Sequence, residues 1–205
     1  MNIGIINYGM GNLRSVANAF EHLGCRAEIL TEPGGVCRVD RIVLPGVGAF
    51  GDGIKNLRAG GWVPVLEDEV LGRGRPFIGL CLGMQFLASR GTEHGDWTGL
   101  GWVPGSVRRL TATNPSVRIP HIGWNTVEVV RPDGLYRGAT GEQVFYFVHS
   151  YAFYPDDPRV VSGYCTHGEP FPASLEWKNI LATQYHPEKS QRCGLAVLQN
   201  FLRCE

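Results

Sequence analysis

A chain of 205 residues, 43% hydrophobic and 19% charged, can bury a substantial core and has the composition of an ordinary globular domain. Lys and Arg match Asp and Glu, 19 against 19, so no basic excess points to nucleic acid and no acidic tail points to a solvating segment. The opening MNIGIINYGMGN has neither a basic n-region nor a long apolar stretch, so a cytoplasmic protein is expected, with no export signal and no membrane partner.

Residues 2–7 read as a buried strand, followed by a turn at YGMGN and a helix carrying Leu13, Val16, Ala17, Phe20 and Leu23 on one face. Gly24 ends that helix and residues 27–30 begin the next strand. RIVLPG (41–46) is a further strand running into the glycine-rich loop PGVGAFGDG. Residues 54–71 read as helix in pieces, broken at Gly60–Gly61 and at Pro64; residues 76–80 are a strand, and Met84 to Arg90 a helix. The second half is β-rich, with strands over 144–154, 160–167, 172–178 and 179–186 and a hairpin turn at Lys178–Asn179. An amphipathic helix closes the chain, with Leu195, Leu198, Phe201 and Leu202 on its buried side and Ser190 as N-cap. Strands alternating with helices predict an α/β fold: a mostly parallel central sheet with helices on both faces, plus antiparallel strands in the second half. No repeat or linker divides the chain, so a single domain over 1–205 is expected.

Two glycine-rich segments resemble nucleotide loops and fail the comparison. GMGNLR has Arg14 where a dinucleotide fingerprint needs its third glycine, and PGVGAFGDG lacks the Lys-Ser/Thr of a P-loop, so no cofactor is expected. The six cysteines are scattered with no CxxC pair, which supports neither zinc nor a disulfide framework. Cys81 alone has a suggestive neighbourhood. It lies between Gly79 and Gly83 where an apolar strand becomes a helix, the pattern of a nucleophile elbow; the alternative is a buried structural cysteine.

A catalytic thiol needs an imidazole, because an ordinary cysteine, with a pKa of about 8.5, is only a few per cent thiolate at neutral pH. His186-Pro187-Glu188 supplies one: in an extended segment residues i and i+2 point the same way, so Glu188 reaches the His186 ring and fixes its tautomer. The oxyanion requires backbone donors. The N–H of Leu82, just after the cysteine, is one, and that of Val47, between Gly46 and Gly48, is the other. Gln85 lies one helical turn past Cys81 on the same face. Taken singly, HxE is a surface pair, Gln85 a solvated residue and PGVG a turn; taken together they make every part of a thioester mechanism. His22, His94 and His167 read as structural, while His121 and His149 have distinctive surroundings without a base role.

The segments GLCLGMQ, PGVGAF and QYHPEKSQ resemble the class I (triad) glutamine amidotransferases, which have a flavodoxin-like architecture. INYGMGNLRSV, PHIGWN, FYFVHSY and HPEKSQ are similar, more narrowly, to glutaminase subunits of imidazole glycerol phosphate synthase, and the likeness runs from residue 3 to the last helix. The resemblance implies that Cys81 attacks glutamine, that His186 shuttles the proton and that Glu188 orients it. It implies Val47 and Leu82 as oxyanion donors, Gly48, Gln85 and Ser150 as glutamine contacts, and Asn12, Trp124, Tyr146 and Lys189 facing a partner. That partner would be a (β/α)8-barrel cyclase, joined as a heterodimer, which uses the ammonia in histidine biosynthesis. A Val47 N–H that points away at rest would make the isolated subunit poorly active until the peptide turns. Tyr185, where phenylalanine is expected, and the tryptophan-rich EHGDWTGLGWVPG depart from the pattern. The competing readings are a paralogue feeding a sugar-amidating enzyme, a stand-alone cysteine γ-glutamyl hydrolase and a silent homologue.

Overall fold

The computed structural model describes residues 1–204. β1 (Asn2–Ile6) is buried from Ile3 onward and leads through α1 (Leu13–His22) to β2 (Arg26–Leu30) and β3 (Arg41–Leu44). α2 (Phe50–Ala59) and α3 (Trp62–Leu66) follow, then a π-helical turn over Glu67–Gly72 and β4 (Phe77–Leu80). After α4 (Leu82–Gln85) come the short strands β5 (Arg90–Gly91) and β6 (Trp97–Thr98) and the longer β7 (Gly105–Arg109) and β8 (His121–Thr126). The remainder is β9 (Glu128–Val129), β10 (Val144–His149), β11 (Tyr151–Pro155), β12 (Val161–His167), β13 (Glu169–Trp177), β14 (Ile180–Thr183) and α5 (Gln191–Phe201).

Eight strands form the central sheet in the order β2-β1-β3-β4-β14-β13-β12-β9. The first five run parallel and the last four are antiparallel neighbours, so β14 joins the two regimes, parallel to β4 and antiparallel to β13. Alternation along the strands divides the core between the two faces. Ile42, Leu44 and Phe77 pack with Phe50, Trp62 and Phe86 on one side, and Val43, Ile78 and Leu80 pack with Phe20, Phe147 and Phe201 on the other.

Gly60–Gly61 breaks the helical stretch as expected, with Gly61 at φ +70°, but Pro64 does not. It falls in the first turn of α3, where a missing N–H costs nothing because no intrahelical acceptor exists for it. The helix expected from Met84 to Arg90 is also revised: α4 starts at Leu82 and lasts one turn. The carbonyls of Phe86, Leu87 and Ala88 accept instead from the N–H groups of Leu100, Val103 and Gly101, so the loop over 99–103 takes the bonds a longer helix would have used. The stretch 144–154 is two strands, not one. The chain leaves the two-stranded ribbon β8–β10 at Ser150 and enters a four-stranded sheet, β11-β7-β5-β6. The hairpin turn at Lys178–Asn179 is present, with Lys178 at φ +53° and Trp177 facing Ile180.

Candidate active site

Cys81 sits at the carboxyl end of β4 with φ 52° and ψ −105°, a conformation that side chains rarely adopt. Its N–H donates to Thr183 O at 2.7 Å, tying the elbow to the end of β14. The flanking glycines are required by close approach, since neither has positive φ: a Cβ on Gly79 would lie 2.6 Å from Gly83 O, and one on Gly83 would overlap Leu44 O.

His186 follows β14, and both of its backbone polar groups are engaged. Its N–H donates to Tyr146 O at 3.0 Å, and Ser190 Oγ donates to its carbonyl at 2.6 Å. Ser190 stands at the N-cap position of α5, yet its hydroxyl serves this turn and accepts from Tyr146 N rather than capping the helix. Glu188 reaches the ring as the sequence predicts, with His186 Nδ1 2.8 Å from Oε1, although by a different route: Pro187–Lys189 is a 3₁₀ turn, not an extended segment. The ring is 2% exposed. Burial alone would lower its pKa; the Cys81 sulfur first, and Glu188 next, outweigh this and raise it to about 10. Both neighbours thus favour the protonated ring, held through Nδ1, and its buried Nε2 has no hydrogen-bond partner among the described residues.

A cavity of about 260 Å³ opens over the sulfur, lined by Val47, Gly48, Leu82, Gln85 and Ser150 among others. Sequence reasoning brought all five to this place. A larger cleft of about 410 Å³, at Arg137, Glu176 and Asn200, shares no residue with it and lacks the elbow cysteine, so chemistry rather than size marks the smaller one. In the loop PGVG, only Gly48 has a positive φ, +101°. Gly46 is needed for space, because a Cβ there would overlap the Tyr8 hydroxyl and crowd Leu82. The Leu82 N–H donates at 3.4 Å to Gly46 O, a long bond that a better acceptor can displace, and the Val47 N–H has no protein acceptor among the described residues.

Gln85 is buried, not the solvated helix residue it would be on its own, and it lines the cavity where a glutamine contact was expected. Its Nε2 donates to Tyr151 O at 2.9 Å and to Gln184 Oε1 at 3.1 Å, which leaves Oε1 as the end free to meet a ligand. Glu93 and Gln184 were not anticipated from the sequence, and His149 was noted there without a role. Glu93 lines the cavity, its carboxylate accepting from Phe50 N at 2.7 Å, and nothing in EHGD distinguishes it. Gln184 donates to Cys81 Sγ at 3.6 Å; a polar residue ending the apolar ILAT strand beside His186 was the available signal. His149 Nδ1 donates to Tyr151 O at 2.9 Å, so its Nε2 must accept from His121 Nδ1, at 3.1 Å. His121 Nε2 in turn accepts from Asn125 Nδ2 at 3.2 Å, which fixes both rings as neutral tautomers. Burial, aided by His167, holds His121 down at about 4, and burial, aided by the neighbouring histidines, holds His149 at about 3.

Trp124, Tyr146 and Lys189 come together. The two rings meet edge to face at 6.0 Å across the β8–β10 ribbon, and Lys189 Nζ lies 5.9 Å from the Tyr146 centroid. Ile122 and Trp124, at 61% and 48% exposure, are two residues apart on one face of the ribbon, opposite Val148 and Tyr146. Asn12 is exposed at the start of α1, a helix that packs against the turn carrying Lys189.

The family model for class-I glutamine amidotransferases matches residues 4–204. The imidazole glycerol phosphate synthase subunit HisH of Moorella thermoacetica is 46% identical over 97% of this chain and 93% of its own length. The protein of the same name from Geobacter sulfurreducens is 45% identical over 97% of each. Among solved structures, PurLQS from Thermotoga maritima superposes with a TM-score of 0.77 at 20% identity, covering 98% of this chain and 97% of that one, a likeness of fold. On the family match and these identities, the chain belongs to the class-I glutamine amidotransferases and stands among their HisH-type members.

Proposed function

We propose that the chain is the glutaminase subunit of an imidazole glycerol phosphate synthase, with Cys81, His186 and Glu188 as its triad. The Cys81 thiolate attacks the side-chain amide carbon of glutamine; a C–S bond forms and the carbonyl electron pair moves onto oxygen. The N–H groups of Leu82 and Val47 receive that oxyanion once the loop over 46–48 turns and Gly46 O releases Leu82. His186 passes its Nε2 proton to the amide nitrogen, the C–N bond breaks and ammonia departs, leaving a γ-glutamyl thioester. Neutral His186 then takes a proton from water, and the resulting hydroxide releases glutamate and restores the thiolate. Glu188 keeps Nδ1 protonated throughout.

Gly48, Gln85 and Ser150 hold the substrate, and Glu93 complements its α-ammonium group. The apolar and cationic surface of Trp124, Tyr146 and Lys189, with Asn12 beside it, docks a (β/α)8-barrel cyclase as a heterodimer. The ammonia goes to that partner, which makes imidazole glycerol phosphate and an aminoimidazole carboxamide nucleotide in histidine biosynthesis. The complex works in the cytoplasm, with this chain acting as one amidotransferase domain.

The observation that carries this reading is the strained Cys81 under a small cavity, with the His186 ring locked by Glu188 on the same strand end. The test is glutamate release from glutamine by the chain alone, then with a cognate cyclase and its nucleotide ligand. Stimulation of about 10²-fold or more, the effect of supplying an oxyanion donor, that vanishes in Cys81→Ala is expected. Fast turnover indifferent to the partner would instead make it a stand-alone hydrolase.

A further inference from the structure

Gln184 has no solvent exposure and lies two residues before His186, at the end of β14. It follows Ile180, Leu181 and Ala182 of β14, and its N–H donates to Ala173 O at 2.8 Å, which fixes the backbone from which its amide projects. The orientation of its amide is dictated step by step. Tyr151 O can only accept, so Gln85 must present Nε2 to it. The same Nε2 meets Gln184, which must therefore present Oε1. The remaining end of the Gln184 amide, its NH2, is then aimed at Cys81 Sγ, 3.6 Å away, an ordinary N–H···S separation. Because Tyr151 O also accepts from His149, this carbonyl is anchored from the ribbon side as well.

We infer that Gln184 is a further catalytic residue, whose amide donates a hydrogen bond to the Cys81 sulfur and favours its thiolate, with Gln85 as the positioning residue that aims it. A donor stabilises the charged form of an acceptor more than the neutral form. It complements His186, whose charge is partly spent on Glu188 and whose proton is lost during each turnover. When His186 becomes neutral, Gln184 is the donor that stays. The inference rests on Cys81 being the proposed nucleophile, but its test does not require glutamine.

The experiment follows the rate of Cys81 alkylation by iodoacetamide, in which the C–S bond forms and iodide leaves, across pH 5 to 10 in the full chain. Adducts are assigned by peptide mass spectrometry so that the other cysteines do not contribute. Gln184→Met keeps an unbranched side chain and removes the donor. The midpoint of its rate–pH curve is expected to rise by about 0.5–1 unit, with alkylation at pH 7 slowed about 3- to 10-fold. Gln85→Met, which frees the Gln184 amide to rotate, moves the midpoint the same way by a smaller amount and serves if Gln184→Met does not fold. An unchanged midpoint, with or without lost thermal stability, would reduce Gln184 to a packing residue and overturn the inference. A shifted midpoint in a chain that never hydrolyses glutamine would sustain this inference while defeating the glutaminase reading.

Discussion

A cysteine at φ 52° and ψ −105° carries backbone strain on the order of 1–3 kcal/mol, and the surrounding contacts hold it there. The Thr183 carbonyl pins its N–H, and two glycines without room for a Cβ lock the turn on either side. The strain is tied to the proposed chemistry, because the elbow lifts Sγ into the cavity. Replacing the side chain while relaxing the backbone separates the two. Cys81→Gly is expected to be more stable than Cys81→Ala by about 1 kcal/mol in urea unfolding, with both inactive; equal or lower stability for the glycine variant would remove strain from the account. At this scale the sequence was informative where chemistry is local. Cys81 is announced by its own neighbours, and Glu188 by its spacing from His186. Gln184 and Glu93 are not, because their partners Cys81 and Phe50 are 103 and 43 positions away and only folding brings them near.

The elements legible in advance are those whose pattern is self-contained: the buried parallel strands, the amphipathic α1 and α5, and the hairpin at Lys178. The ribbon β8–β10 and the sheet β11-β7-β5-β6 were not, since two-residue strands such as β5 and β6 exist only by pairing with distant segments. The overlong helix after Cys81 failed for the same reason, its carbonyls being claimed by the loop over 99–103. The ribbon has a property that composition cannot reveal, a neutral pair of histidines buried against Phe147 and Phe171. His121 and His149 titrate at about 4 and 3 in the folded chain, against 6.5 when unfolded. The unfolded chain therefore takes up protons first as pH falls, so this stabilisation is complete above about pH 6.5 and is lost between there and about pH 3–4. The neighbouring His167 and His186 add to the cost of charging the pair. Stability measured by urea unfolding should fall across this window, and His149→Gln should flatten the fall. An identical slope in the variant would contradict the neutral pair.

The whole molecule places its proposed site at one rim. β4 and β14 end there, the PGVG loop of β3 covers it, and the ribbon rises beside it with Ile122, Trp124 and Val148 exposed. Exposed apolar residues on a ribbon whose Val148 lines the cavity and whose Tyr146 lies beside Lys189 fit a docked partner better than open water. Trp124 is the largest of them and is braced by Tyr146. Trp124→Ala is expected to weaken binding of the proposed cyclase partner by about 30-fold or more, read by titration calorimetry, as for a central aromatic anchor; unaltered affinity would move the docking face elsewhere. The α/β class and the mixed sheet were visible from the order of elements alone. Five lining residues of the cavity besides Cys81 were nominated in advance, but its Glu93, Val148, His149 and Tyr151 were not, because they reach it from β10, β11 and the chain after β5 only in three dimensions.

The central claim is that Cys81 is a nucleophile facing a glutamine-binding cavity. A chloromethyl ketone analogue of glutamine tests it most directly, since a reactive thiolate displaces chloride and keeps the label. The account predicts one adduct per chain, located on Cys81 by peptide mass spectrometry, prevented by excess glutamine and absent from Cys81→Ala. Labelling chiefly at the exposed Cys37, or labelling of Cys81 that glutamine does not slow, would contradict it.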